Sequence, residues 1–251
     1  VTPEQQQRYS RHLSLAAIGV AGQERLIAAR VLIIGVGGLG SPAAIYLAAA
    51  GVGTLVLVDF DTVELHNLQR QILHQQADIG RPKVASAHDH LQALNPEVNL
   101  ITHNGQLDGA ALYAQVAAAD VVLDCSDNFA TRFELNAICV AAKVPLISGA
   151  ALRSEGQITL FDHRQPDAPC YRCLYRDESG AGESCTLTGV LAPVVGVIGT
   201  LQALEAVKLL TGAGTTLAGR LLLFDALALE WRTLRLRRDP ACPVCGANRR
   251  Q

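Results

Sequence analysis

Two groups of side chains in this sequence invite a chemical reading: acids and cations that follow a glycine turn, and paired cysteines. Gly35-Val36-Gly37-Gly38-Leu39-Gly40 fits the pattern G-x-G-x-x-G. Glycines at these positions permit a tight turn and let backbone approach a phosphate closely. Free N–H groups at the start of a following helix favour an anion. Asp59 stands about 20 residues on, where a carboxylate can accept hydrogen bonds from ribose hydroxyls. Asp61, Asn67-Leu68-Gln69-Arg70-Gln71 and Lys83 come next, then Asp124-Cys125-Ser126-Asp127-Asn128. Such a set suits a carboxylate attacking the α-phosphate of ATP, where two anions must meet. Arg, Lys and magnesium offset that repulsion and the charge on departing pyrophosphate. Magnesium takes one or two carboxylates beside phosphate oxygens. Asp127 is its first candidate ligand and Asp61 its second. Hydride transfer to NAD, the rival use of such a turn, needs no such concentration of phosphate-directed charge. Plainer readings exist for each residue: glycines that only pack helix on sheet, Arg70 and Lys83 as surface cations, Asn67 as a turn residue, Asp127-Asn128 as a helix N-cap.

Cys170-x-x-Cys173 and Cys242-x-x-Cys245 form two hairpin-like pairs flanked by Pro169, Pro243 and Gly246. Four thiolates on two such turns suit tetrahedral zinc. The gap between the pairs exceeds short-finger spacing, so the metal would pin the tail to the body and close a long loop. A redox dithiol is the alternative, but nothing here reads as a thioredoxin-like unit. Cys185 sits in a polar segment ahead of a helix, where a thiol is both exposed and acidified, which makes it a candidate nucleophile. Cys125 and Cys139 have apolar neighbours and read as packing residues.

The elements that must position these groups alternate. Val31–Ile34 and Leu55–Val58 are continuous apolar runs of the kind found inside a parallel sheet, with a helix from Pro42 to Ala50 between them. A helix from Pro82 to Asn95, a strand from Val98 to Thr102, a helix from Gly109 to Ala119, a strand Val121–Leu123, a helix from Phe129 to Lys143 and a strand Pro145–Ile147 continue the order. Residues 4–30 read as short helices anchored by Leu13, Ile18 and Leu26. The fold class is therefore α/β, a Rossmann-like, doubly wound and mostly parallel sheet. After about Gly149 the pattern changes: strands Gln157–Phe161 and Arg220–Phe224, a helix from Gly189 to Leu210, and a strand-like tail from Glu230 to Arg238. Arg232, Arg235, Arg237 and Arg238 in that tail read as a solvated face, or more weakly as a dock for an acidic carrier. The chain reads as one domain over 1–251, with a nucleotide-binding half (1–149) and an embellished, zinc-bearing, carrier-binding half (150–251).

Composition narrows the classes. With 49% hydrophobic and 18% charged residues among 251, a sizeable core is available. A net charge of -2 gives no sign of nucleic-acid or membrane-surface binding. The polar opening is no signal peptide, and the uncharged stretch Ser184–Leu204 reads in part as a buried helix, so the location expected is cytoplasmic. Seven cysteines, an odd number, argue against a disulfide framework. The seven histidines show no ligand spacing and read as surface or hydrogen-bonding residues.

GVGGLG, DFDTVELHNLQRQ, RPKV, DCSDN, the two cysteine pairs and Arg8-Tyr9-Ser10-Arg11 together resemble the MoeB/ThiF family, bacterial relatives of the ubiquitin-activating enzymes. The resemblance covers nearly the whole chain; His66 departs from it, standing where a smaller residue is usual. It implies an adenylyltransferase that uses Mg-ATP on the Gly-Gly terminus of a ubiquitin-like sulfur carrier, MoaD (molybdenum-cofactor synthesis) ahead of ThiS (thiamine synthesis). It places Asp59 on the ribose; Asn67, Arg70, Gln71 and Lys83 around the phosphates; and Asp127 on magnesium. Arg11 would enter the neighbouring subunit's site, so a homodimer is implied. Cys185 would link covalently to the carrier in ThiF-like members. Without a rhodanese-like extension after residue 251, the sulfur would come from a separate donor protein. The alternatives are an NAD-dependent oxidoreductase and a non-catalytic module; the latter would lack Arg11, Arg70, Lys83 and Asp127, all of which are present.

Overall fold

The fold is built on strands whose side chains are apolar on both faces. In β1 (Arg30–Ile34), Val31 and Ile33 join one core, Leu32 and Ile34 the other. β2 (Thr54–Asp59) and β4 (Val121–Asp124) divide in the same way. Side chains alternate along a strand, so a run without polar residues must be covered on both sides. The computed structural model describes residues 1–175 and 189–246 and places these strands in one eight-stranded sheet. Its order is β3-β2-β1-β4-β5-β6-β7-β8, with β3 as Asn99–Asn104, β5 as Leu146–Leu152, β6 as Glu155–Phe161, β7 as Arg220–Asp225 and β8 as Glu230–Arg235. The first five pair in parallel and the last three join as an antiparallel meander. β8 ends the sheet, and all six of its residues are exposed.

Helices cover both faces. On one lie α3 (Gly19–Ala28), α4 (Gly40–Ala49), α5 (Lys83–Leu94) and α9 (Ala192–Thr211). On the other lie α6 (Gly109–Ala117), α7 (Phe129–Ala142) and the short α8 (Tyr171–Leu174). α9 is long and apolar enough to cross a membrane, but Val194, Ile198 and Ala203 are buried against the sheet and α4. It is a core helix, as the uncharged run ending at Leu204 suggests, with Glu205 and Lys208 paired to each other in its second half. The chain leaves β1 for β2 on one side and returns for β4 on the other. β1 and β4 therefore flank the switch point where open α/β sheets hold ligands.

Three expectations change. Among the proposed N-terminal anchors, Leu26 is fully buried but Leu13 and Ile18 are only half-buried. Tyr9 takes their place: it is buried, and its hydroxyl accepts a 2.9 Å bond from Asn95. The helices α1 (Pro3–Arg8) and α2 (Ser10–Leu13) are too short to bury a face of their own, so one aromatic ring holds them. The strand expected to end at Ile147 runs on to Leu152 because it pairs with β6 along its whole length, and Gly149 leaves the room that Gln202 occupies: a Cβ there would lie 2.6 Å from it. The tail strand stops at Arg235, and Arg238 is no solvated cation: its guanidinium donates to the carbonyls of Cys245 and Pro166.

Candidate active site and cysteine centre

The glycine turn joins β1 to α4 at the switch point. Gly35 has a φ of 89°, and a Cβ there would lie 2.8 Å from the Cys125 carbonyl oxygen. Gly40 starts α4 with its Cα so near Gly35 that a Cβ would fall 1.9 Å from that carbonyl. These two glycines are demanded by turn geometry and packing. Gly37 and Gly38, with Gly35, line the crevice above.

Asp59, at the end of β2, accepts the Val36 N–H at 2.9 Å on one oxygen and the Asp61 N–H at 2.9 Å on the other. It thus braces the turn, while each oxygen keeps a lone pair for a further donor. Asp61 follows and receives the Lys83 ammonium at 2.7 Å. Lys83 is the first residue of α5 and its side chain is almost wholly buried. Arg70 and Gln71 enter from the segment between β2 and α5. Gln71 is buried, and among the described residues its Oε1 has no partner, an open acceptor in the crevice wall. From β4 come Asp127 and Asn128. Asn128 is the N-cap of α7, its Oδ1 accepting the Thr131 N–H at 2.9 Å, as the plainer reading foresaw. Asp127 is exposed and lines the crevice.

Gly35, Gly37, Gly38, Asp59, Asp61, Arg70, Gln71, Lys83, Asp127 and Asn128 therefore border one crevice at the carboxyl ends of β1, β2 and β4. Three expected residues do not. Gly40 lies beneath it. Asn67 shapes the turn below Arg70, accepting the Glu64 N–H at 3.1 Å on its side chain and the Gln71 N–H at 3.0 Å on its carbonyl. Arg11, exposed on α2, lies away from this chain's own lining. Cys185 lies outside the described residues.

Sequence reading missed Arg132. It sits one turn into α7, where a cation reads as solvent-facing, yet it is buried. It donates to the Ser126 carbonyl at 2.6 Å and the Gly149 carbonyl at 3.3 Å, and lies 3.9 Å from the Asp124 carboxylate. Asp124 is in turn held by the Ser126 and Ser148 hydroxyls at 2.6 and 3.0 Å. Gln202 on α9 adds a 2.8 Å bond to the Asp124 carbonyl. The strand end that presents Asp127 is thus held by a buried polar network in which the Arg132 Nε alone keeps no hydrogen-bond partner among the described residues. Arg132 and Asp127 also border a second groove that runs over β5, β6 and β7 past Ala151, Gly156 and Phe224.

The two cysteine pairs meet. Their four sulfurs lie within 4.8 Å of one another, with separations of 3.4, 3.7 and 4.0 Å for Cys173–Cys245, Cys170–Cys242 and Cys170–Cys173. A tetrahedron of thiolates about 2.3 Å from zinc has edges of about 3.8 Å, so the cluster fits that ion. Without a metal the cluster shares its protons unevenly: the Cys170 thiol hydrogen-bonds the Cys173 sulfur and pulls that thiol down, while the same bond pushes Cys170 up and burial pushes Cys245 up. Burial also pushes the Cys125 and Cys139 thiols up, as befits packing residues.

Comparison with known proteins places this geometry. The chain is 52% identical over 239 residues to molybdopterin-synthase adenylyltransferase of Escherichia coli K12, covering 95% of this chain and 96% of that one. It is 53% identical over 241 residues to the sulfur carrier protein ThiS adenylyltransferase of the same organism, covering 96% and 95%. The crystal structure of E. coli MccB with AMPCPP and MccA superposes with a TM-score of 0.82 at 25% identity, covering 95% of this chain and 74% of that one. Over residues 9–244 the sequence matches the ThiF family, and the chain belongs to it.

Proposed function

We propose that this chain adenylates the C-terminal carboxylate of a small ubiquitin-like sulfur-carrier protein. One observation carries the reading: the glycine turn, Arg70, Lys83 and Asp127 converge on a single crevice, and Asp127 and Arg132 border both that crevice and the adjoining groove. ATP lies in the crevice, with the ribose towards Asp59 and the phosphates towards Gly37, Arg70, Gln71 and Lys83. The carrier's extended tail follows the groove across the second half of the chain. Its carboxylate oxygen bonds to the α-phosphorus as the bond to the β-phosphate oxygen breaks. Pyrophosphate leaves, and an acyl-adenylate remains on the carrier. Arg70 and Lys83 neutralise charge on the transferring and departing phosphates. Asp127 is an exposed carboxylate at the crevice edge, fit to hold magnesium, which would supply further neutralisation of the phosphates.

The preferred carrier is MoaD-like, on the wording of Glu64, Gly149 to Ala151 and the Gly-Val-Leu-Ala-Pro run at 189–193; a ThiS-like carrier is the alternative. The enzyme works in the cytoplasm as a homodimer, with Arg11 completing the partner's crevice. A separate protein donates sulfur, and Cys185 is the candidate site of a covalent carrier link. The deciding experiment is exchange of labelled pyrophosphate into ATP by zinc-loaded protein, run with each purified carrier. Exchange that needs a carrier supports the proposal. A folded, metal-loaded protein that exchanges with neither carrier would falsify it.

A further inference from the structure

The two atoms of the Val36–Gly37 peptide point to opposite sides of the glycine turn. The peptide is trans, so its C=O and N–H are antiparallel. The carbonyl faces inward, where His74 Nε2 lies 3.0 Å away. A carbonyl only accepts, so Nε2 carries the hydrogen, while Nδ1 meets the Ser86 hydroxyl at 2.9 Å, a hydroxyl that also bonds to the Asp78 carboxylate. Ser86 is fully buried and His74 nearly so, hence the ring cannot swing away. The Ser41 hydroxyl approaches the same carbonyl at 3.4 Å, and the Val36 N–H is held by Asp59. With the carbonyl fixed inward, the Gly37 N–H is fixed outward. Gly37 lines the crevice, and among the described residues its N–H has no partner.

We infer that His74 is a positioning residue of the nucleotide turn, which through the Val36 carbonyl aims the Gly37 N–H at the phosphates of bound ATP. This rests on the adenylation reading above. A single buried histidine then does for the underside of the turn what the crevice cations do for its top: it fixes a donor before the anion arrives.

The test uses two amides of different reach. Glutamine carries its nitrogen near the place of Nε2, whereas asparagine carries it near Nδ1. Carrier-dependent pyrophosphate exchange and amide hydrogen exchange over residues 35–41 of the nucleotide-free protein are measured for each. His74→Asn is expected to raise the KM for ATP roughly tenfold, the loss that follows from removing the nearer of two donors to a buried carbonyl, with the carrier KM unchanged. It also speeds amide exchange in the turn. His74→Gln should stay within about twofold of wild type in both measurements. Equal losses in the two variants would assign the effect to ring packing and overturn the inference, as would an asparagine variant that behaves like wild type. Should His74→Asn fail to accumulate, Ser86→Ala keeps the ring and removes its Nδ1 partner, together with a hydrogen bond to Asp78. It is expected to speed amide exchange in the turn, and an unaltered turn would overturn the inference. If wild-type protein catalyses no exchange, the adenylation reading falls, while the amide measurement still decides the role of His74.

Discussion

Replacing Lys83 by Met separates a phosphate clamp from a structural ion pair. The ammonium is almost wholly buried and its partner, the Asp61 carboxylate, is 2.7 Å away with half its side-chain surface in water. Methionine fills a similar volume, and Asp61 stays hydrated once the cation is gone. Losing a pair with one solvated member costs about 1 kcal/mol or less, which in a chain of this size lowers Tm by roughly 2–4 °C. The transition-state cost is larger. A donor aimed at developing phosphate charge in a water-poor site is worth about 3–4 kcal/mol, so kcat should fall by about 10²–10³. The assay is carrier-dependent pyrophosphate exchange at saturating Mg-ATP, beside thermal unfolding of the same preparation. If turnover survives within a few-fold, or if Tm drops by well over 5 °C with turnover proportional to the folded fraction, then Lys83 is a structural residue and its assignment here is wrong.

Asp127→Ala should cut exchange by roughly a hundredfold or more with Tm unmoved, because the carboxylate is exposed at the crevice edge; unchanged turnover would show that magnesium is held elsewhere. Prolonged chelation should render the four thiols of Cys170, Cys173, Cys242 and Cys245 titratable and lower Tm by about 5 °C or more, as loss of a structural metal does; a chelated protein with unaltered Tm and masked thiols would contradict a metal centre. Burial holds the His74 imidazole below its ordinary value. The unfolded state therefore takes up the proton first as pH falls, so this contribution to stability is intact above about pH 6.5 and drains away below it. Unfolding free energy compared at pH 7.5 and 5.5 should decline more in wild type than in His74→Gln, and parallel slopes would rule out that linkage.

Much of the scaffold could be read without coordinates because its signals are local. Val31–Ile34, Leu55–Val58 and Val121–Leu123 are apolar on both faces, and only a covered parallel sheet accepts such runs. Gly35 and Gly40 stand where any Cβ would strike backbone, so the turn leaves its mark in composition. Arg132, His74 and Gln202 were not legible for the opposite reason. Each is polar, buried and hydrogen-bonded to atoms of a distant segment: Gly149 for Arg132, Val36 for His74, Asp124 for Gln202. A cation inside a helix or a lone histidine carries no trace of such partners in its own neighbourhood. Asn67 could be read both ways, as a phosphate contact or as a turn residue, and its side-chain oxygen serves its own turn by accepting the Glu64 N–H. Tyr9 displaced Leu13 as the N-terminal anchor because Gly51 leaves space for a ring: a Cβ there would lie 2.4 Å from the tyrosine.

The outermost strand carries a consequence of its own. Among the described residues β8 has a neighbour on one side only, so its other margin there presents unpaired backbone donors and acceptors along Glu230-Trp231-Arg232-Thr233-Leu234-Arg235. Such a margin recruits foreign strands unless charge repels them. Arg232 and Arg235 flank its two apolar side chains and act as gatekeepers against fibrillar growth. Stripping those two positive charges would endanger solubility before it touched catalysis.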